Sequence, residues 1–225
     1  MQLDIIGARN DLVENNIVIK AIQLLEKKTG LQLKTKITLK KNIPIGAGLG
    51  GGSSDAAATL LATNQLFDLN FSISELMNFA LELGSDVPLF FHNYPTIGKS
   101  RGELLEKIQL EIDFPILLVN PGIHISTKEA FSNITPKPSS FDYSDILKLN
   151  INDWRQQLNN DFENGVFQLY PEIAKIKNTL NKNGAIFSLM SGTGSTVYGI
   201  FESIEEIKQA IDILPKSYFT FIGNT

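Results

Sequence analysis

A run of glycines and serines at residues 44–54 carries the clearest chemical signal in the sequence. Five glycines lie within seven residues, and two serines follow, in the order Pro44-Ile-Gly-Ala-Gly-Leu-Gly-Gly-Gly-Ser-Ser54. Because glycine has no Cβ, backbone N–H groups in such a segment can turn toward an anion at close range. The helical pattern that follows would add the positive end of its dipole. The segment therefore predicts a phosphate-binding loop rather than a flexible linker.

Two other phosphate-loop patterns fit this segment poorly. The spacing Gly46-x-Gly48-x-x-Gly51, with Asp68 further on, matches a dinucleotide fingerprint. That fingerprint follows a strand buried on both faces, whereas Leu33–Lys40 alternates apolar residues with lysine and threonine. A Walker A loop ends in Gly-Lys-Ser/Thr, and the lysine is missing from Gly52-Ser-Ser54. A dehydrogenase therefore remains only a distant alternative.

Three segments, in the same order along the chain, resemble the GHMP kinase family. Pro44–Ala57 resembles the ATP loop of that family, and Leu83–Phe91 resembles the segment that carries its catalytic aspartate. Ser191–Ser195 resembles its C-terminal glycine loop. The resemblance runs over residues 16–201 and implies phosphoryl transfer from ATP to an alcohol, with Mg2+ as the accompanying ion.

The resemblance also implies roles for individual residues. Asp86 matches the catalytic aspartate, which would accept the proton of the substrate hydroxyl. The residues that would bind ATP are Pro44, Ile45, Gly46, Ala47, Gly48, Leu49, Gly50, Gly51, Gly52, Ser53 and Ser54, with Lys41 and Asn16 near the adenosine end. The plainer interpretations are helix N-caps, at Asp86 for one helix and at Ser53 or Ser54 for another. The sequence shows no dense carboxylate cluster for a protein-only metal site.

Within the family, the triple glycine before Ser53 and two further segments resemble the members that act on a cytidine diphosphate-linked methylerythritol. These segments are Gly98–Glu103 and Val119–Thr127. The resemblance implies phosphorylation of the 2-hydroxyl group in the non-mevalonate route to isoprenoid precursors. Two alternatives stay open: another small alcohol as acceptor, such as mevalonate, homoserine or galactose, or a nucleotide-binding protein that has lost its chemistry.

The sequence departs from the family pattern at its N-terminus. The family begins with a segment that carries a lysine paired with the catalytic aspartate and a Tyr-His pair for the substrate. Neither Lys-x-Asn-Leu nor Gly-Tyr-His occurs in this sequence. We therefore expect the chain to start within the first sheet of the fold, after the first strands, and to be impaired as an enzyme. A truncation or a mis-assigned start explains the retained motifs better than a degraded paralogue.

The order of predicted elements indicates an α+β fold with two parts. We expect a ribosomal S5-like ATP-binding part over residues 1–140 and a ferredoxin-like part over residues 141–225, with a linker at 136–140. The predicted strands cover residues 1–6, 33–40, 116–119, 186–189, 196–201 and 218–222; the predicted helices cover 17–28, 55–67, 72–83, 160–184 with a break before Pro171, and 204–214. The alternation in 33–40 is typical of an antiparallel sheet with one wet face.

Composition limits the remaining function classes. The net charge of −4 argues against a general nucleic-acid footprint, and no apolar run is long enough for a membrane span. The absence of cysteine favours a cytoplasmic protein without disulfides. Of the two histidines, His124 is a better candidate for substrate contact than His92. Arg101 is a candidate for a functional role, with a surface ion pair as the plainer interpretation. A small molecule is the expected partner, and the oligomeric state is not predicted.

Overall fold

The computed structural model describes residues 2–6, 16–132, 134 and 142–223. They form two compact units. The first comprises Met1–Ile43 and Gly50–Ile108, and the second comprises Pro44–Leu49 and Gln109–Thr225. The linker predicted at residues 136–140 lies outside the described residues, so the division between residues 140 and 141 stays a prediction.

The first unit contains a pair of strands that run parallel. Strand β1 (Gln2–Ile6) pairs with β2 (Lys36–Lys40), with Gln2 opposite Lys36 and Ile6 opposite Lys40. The antiparallel pairing expected for residues 33–40 is therefore wrong. Alternation shows which face of a strand is buried, but it does not give the direction of the strand. Helix α1 (Ile17–Thr29) lies between β1 and β2 in the sequence, as helices do in the crossover connections that join parallel strands.

Local signals set both ends of α1. The Asn16 side chain accepts a hydrogen bond from the backbone N–H of Val18 at 3.0 Å, which caps the first turn. Gly30 ends the helix in the left-handed conformation. The buried face of α1 packs against the next two helices in a core of Ala21, Ile22, Leu25, Leu33, Ala56, Ala57, Leu60, Leu76, Ala80 and Val87.

Helix α2 (Gly51–Leu66) begins earlier than predicted. Its N-cap is Gly50, at a φ of 64°, and no side chain caps the helix. The N-cap predicted at Ser53 or Ser54 is therefore wrong. Both serines lie in the first turn, and the Ser54 hydroxyl donates to the carbonyl oxygen of Gly51 at 2.8 Å. Because glycine adopts a positive φ easily, Gly50 can precede the helix directly and the first turn begins with glycines. The N–H groups of that turn have no side-chain acceptor.

Helix α3 (Ile73–Leu83) confirms its predicted start and end. Ser72 and Glu75 form the reciprocal capping box, and Gly84 ends the helix. A 3-10 helix (Val87–Phe91) follows and packs on α2 and α3. Strands β3 (Thr96–Lys99) and β4 (Leu104–Lys107) then form an antiparallel hairpin.

The second unit is built on a four-stranded antiparallel sheet. Its strands are β5 (Ile116–Asn120), β6 (Phe187–Met190), β7 (Val197–Ile200) and β8 (Phe219–Gly223), in the spatial order β6-β7-β5-β8. Its helices are α4 (Thr127–Ser132), α5 (Trp154–Gln157), α6 (Phe162–Leu169), α7 (Pro171–Lys182) and α8 (Ile204–Ile213), with 3-10 turns at Tyr143–Lys148 and Ile151–Asp153. The predicted break before Pro171 is confirmed.

Each face of this sheet has its own apolar cluster. Leu117 and Val119 belong to a core that includes residues of α6, α7 and α8. Phe187 belongs to a second cluster with Trp154 and Tyr198, and its ring meets the indole edge to face, with ring centroids 5.6 Å apart. Phe187 is thus a core residue with the partly buried Tyr198 packed against its cluster, and Phe201 is fully buried in the first cluster.

These elements confirm the predicted α+β class. Among the described residues, no helix is both long and apolar enough to cross a membrane. In the same residues the only parallel pairing is the two-stranded sheet of β1 and β2. The doubly wound parallel sheet that a dinucleotide fingerprint requires is not present in the described part of the chain.

Tyr198 makes the stability of the second unit sensitive to alkaline pH. Burial, and to a lesser degree the Glu163 carboxylate, raises the pKa of Tyr198 to about 12. Since an unfolded tyrosine titrates near 10, the folded protein holds this proton more tightly, and stability is lost as pH rises from about 10 to 12. We expect the free energy of unfolding of the unmodified protein to fall by on the order of 2 kcal/mol over this range because of Tyr198. Tyr198→Phe should not show this loss.

Thermal unfolding from pH 8 to pH 12 measures this effect. The matched control is Tyr143→Phe, at a tyrosine that is 40% exposed, and it should follow the unmodified protein. Equal pH slopes for Tyr198→Phe and the unmodified protein would contradict the prediction.

Candidate active site

The first half of the glycine-rich loop is fixed by the second glycine segment, Ser191–Ser195, and by the residue that follows it. The Ser191 hydroxyl donates to the carbonyl oxygen of Gly48 at 2.7 Å. The backbone N–H of Thr196 donates to the carbonyl oxygen of Ala47 at 3.2 Å, and Ala47 is buried. The structure thus brings the predicted phosphate loop together with the C-terminal glycine segment, which lies far away in the sequence.

The approach of these two segments depends on glycine. Gly48 has a φ of 74°, and a Cβ built on it would lie 2.1 Å from the carbonyl oxygen of Ser191. The same Cβ would lie 2.8 Å from the carbonyl oxygen of Gly194. Backbone atoms cannot swing aside as a side chain can, so only glycine allows this contact.

Two asparagine side chains, the buried Asn120 and the half-buried Asn160, hold the second glycine segment, and the sequence did not predict either role. The Asn120 amide donates to the hydroxyls of Ser195 and Thr196 at 3.2 and 2.9 Å. The Asn160 amide donates to the carbonyl oxygens of Met190 and Gly192 at 2.8 and 2.7 Å. Asn120 ends an apolar strand, and a polar residue at such a position indicates a buried hydrogen bond without identifying its partners.

The second half of the loop, from Gly51 onward, forms the first turn of α2 in the first unit. A Cβ on Gly51 would lie 3.2 Å from the Ile43 side chain and 3.7 Å from Nζ of Lys41. Lys41 forms an ion pair with Asp55 at 2.5 Å, and their side chains are only 11% and 21% exposed. The predicted site residue Lys41 therefore lies beside the first turn of α2, with a carboxylate partner that the sequence analysis did not single out.

The segment that carries Asp86 packs against the start of the same helix. A Cβ on Gly50 would lie 2.4 Å from Cζ of Phe90, in the 3-10 helix that follows Asp86. Asp86 itself is exposed and makes no side-chain capping bond to that helix. The plainer interpretation of Asp86 as a side-chain N-cap therefore finds no support in the geometry.

The β3–β4 turn lies next to Asp86. A Cβ on Gly102 would lie 3.7 Å from Oδ1 of Asp86 and 3.9 Å from the carbonyl oxygen of Ser85. Hydrogen bonds from the backbone of Glu103 itself, the Ser100 side chain and the Arg101 N–H lower the pKa of the Glu103 carboxyl. The Glu103 carboxylate therefore orders this turn.

The remaining candidates have less direct geometry. Asn16 caps α1, and its predicted place near adenosine stays a prediction. His92 stacks on Tyr94 with ring centroids 4.7 Å apart. Arg101 is exposed in the β3–β4 turn, where its backbone N–H donates to Glu103. His124, in contrast, lies directly against Gly46 of the loop.

Comparison with known proteins gives consistent matches along the chain. The family described as GHMP kinases N terminal domain matches residues 16–94, and GHMP kinases C terminal matches residues 143–219. A 4-diphosphocytidyl-2-C-methyl-D-erythritol kinase of Azobacteroides pseudotrichonymphae is 48% identical over 195 residues, which cover 84% of this chain and 72% of that protein. The kinase of the same name from Bacteroides thetaiotaomicron is 43% identical and covers 84% of this chain and 69% of that protein.

Solved structures of kinases also match this chain over nearly all of its length. A crystal structure of 4-(cytidine 5'-diphospho)-2C-methyl-D-erythritol kinase matches with a TM-score of 0.79 and 28% identity, over 98% of this chain and 81% of that chain. A homoserine kinase from Cytophaga hutchinsonii matches with a TM-score of 0.73 at 20% identity, over 100% of this chain and 81% of that chain. The second likeness shows the fold alone.

Gly48→Ala tests the contact between the two glycine segments. We expect it to cost about 1 kcal/mol for the positive φ and about 2 kcal/mol more for displacing the Ser191 backbone. The control is Gly30→Ala, which has the same positive φ but no atom within 4 Å of the added methyl. Urea unfolding measures both, and equal losses would show that the loop tolerates a side chain.

Proposed function

The chain belongs to the GHMP kinases, and on this basis we propose the acceptor and the residues of its reaction. It is an ATP-dependent kinase. The proposed reaction transfers the γ-phosphoryl group of ATP to the 2-hydroxyl of 4-diphosphocytidyl-2-C-methyl-D-erythritol. The observation that carries this acceptor is the identity of 43–48% to kinases of that name over 84% of the chain.

The glycine-rich loop is proposed to bind the phosphates of ATP. In Gly46, Gly48 and Gly50 the positive φ values of 65°, 74° and 64° turn the backbone in ways that other residues rarely adopt. The first turn of α2 adds N–H groups that have no side-chain cap. A helix N-terminus of this kind favours an anion both by hydrogen bonding and by its dipole.

Asp86 is proposed to be the proton acceptor. As the 2-hydroxyl oxygen forms its bond to the γ-phosphorus, the bond from that phosphorus to the β,γ-bridging oxygen breaks and ADP leaves. The hydroxyl proton passes to the Asp86 carboxylate. The exposed position of Asp86, without a capping bond to its own helix, supports this role because the carboxylate oxygens remain accessible.

Mg2+ is proposed to enter with ATP. Among residues 2–6, 16–132, 134 and 142–223, no three acidic, histidine or cysteine side chains are grouped as a metal site. Mg2+ commonly binds phosphate oxygens, water and one or two protein oxygens, and the Ser53 hydroxyl and Asp86 carboxylate are donors of that hard type. When bound, the ion would neutralise charge on the phosphates.

Residues 1–140 would form the ATP-binding domain and residues 141–225 the C-terminal domain. Asn16 and Lys41 would lie near the adenosine. The cytoplasmic location stays a prediction from the cysteine-free composition.

An acceptor panel tests the proposed reaction. ADP release would be measured with 4-diphosphocytidyl-2-C-methyl-D-erythritol, mevalonate, homoserine and galactose, each with and without MgCl2. We expect ADP release with the first acceptor alone, dependent on Mg2+. Faster release with another alcohol would reject the acceptor. ATP binding without release in any mixture would identify a nucleotide-binding protein instead.

Asp86→Asn tests the proton acceptor. An amide keeps the size of the carboxylate but cannot take the proton, so we expect kcat to fall roughly a thousandfold. The Kd for ATP measured without Mg2+ should stay within about twofold, because the phosphate loop is unchanged. The control is Asp212→Asn, at a carboxylate on α8 that is 80% exposed, and it should leave kcat unchanged. A kcat for Asp86→Asn close to that of the control would remove Asp86 from the mechanism.

A further inference from the structure

The glycine-rich loop contains no positively charged side chain. Residues 44–54 include no lysine, arginine or histidine. The nearest basic residue before the loop is Lys41, whose charge is largely offset by Asp55 at 2.5 Å. Phosphate groups carry several negative charges, and backbone N–H groups supply only partial positive charges. The loop therefore calls for a cationic or donor side chain from another part of the fold.

His124 lies against the first glycine of the loop. A Cβ built on Gly46 would lie 2.1 Å from Nδ1 and 2.4 Å from Cε1 of His124, so the imidazole occupies the space that a side chain at residue 46 would fill. His124 is also exposed to solvent. An anion bound by the backbone at Gly46 would therefore sit beside an accessible imidazole.

Neighbouring contacts fix the position of His124. The Asn120 side chain accepts a hydrogen bond from the backbone N–H of Gly122 at 2.9 Å. The Ser195 hydroxyl donates to the carbonyl oxygen of Ile123 at 2.5 Å, and Ile125 is buried in the core. His124 is thus an exposed side chain between two anchored residues, which is the arrangement expected of a binding group.

We propose that His124 is a phosphate-binding residue, which completes the cradle by donating from its imidazole to a phosphate oxygen. The proposal rests on the proposed function, since it assigns a further group to the same site. Phosphate oxygens could come from ATP or from the diphosphate of the acceptor. The shared chemistry is a charge-assisted hydrogen bond to a phosphate, and the test distinguishes the two sources.

The variant His124→Gln keeps a hydrogen-bond donor of similar size but can carry no charge. The matched control is His92→Gln, which changes the other histidine of the chain. Calorimetry would give the Kd of each protein for ATP, adenosine and cytidine 5'-diphosphate. We expect His124→Gln to weaken one phosphate-bearing ligand about tenfold and to leave adenosine unchanged. A loss for ATP identifies the triphosphate as the ligand, and a loss for cytidine 5'-diphosphate identifies the acceptor.

Proton NMR of the two imidazoles gives a second measurement, with His92→Gln to assign the signals. We expect the His124 signal to shift with the phosphate-bearing ligand and not with adenosine. Unchanged affinities for both phosphate ligands, or an equal loss for ATP and adenosine, would overturn the proposal. If the unmodified protein bound no ATP, the proposed function would fail first, and that outcome is visible before any variant is compared.

Discussion

The close approach of two backbone segments, near Gly48 and Ser191, is the constraint on which the candidate site depends. A hydroxyl-to-carbonyl bond of 2.7 Å joins them, and a Cβ at residue 48 would meet a backbone oxygen at 2.1 Å. Backbone-to-backbone packing of this kind has no adjustable side chain, so glycine is required by geometry. The hydrogen bonds of Asn120 and Asn160 then hold the far segment in place.

Charge at the site is distributed differently from the usual lysine-based phosphate loop. The loop itself relies on N–H groups and on the uncapped start of α2. Lys41 is mostly buried and balanced by Asp55, which suits a positioning role at the helix start better than a free counter-charge.

The sequence predicted those features that depend on neighbouring residues. Helices α1 and α3 follow from local periodicity and capping chemistry, and both lie where predicted to within one residue. The direction of β2 and the true N-cap of α2 were wrong, because alternation carries no direction and glycine permits an earlier helix start. The role of Asn120 could not be predicted, because its partners lie 75 and 76 residues away. The roles of Asp86, Lys41 and Asn16 were predicted from the resemblance to the family, because no local pattern of residues indicates them.

The bond between Ser191 and Gly48 spans 143 positions of the chain. Contacts of such long range form late in folding, since much chain entropy must be lost before they give any stability. During synthesis, the glycine-rich loop leaves the ribosome long before Ser191 and Thr196 are made. The loop therefore cannot form its hydrogen bonds to these residues until they have been added to the chain. A nascent chain can therefore build the helices that follow the loop early, yet the loop takes its final shape only after Ser191 has been made.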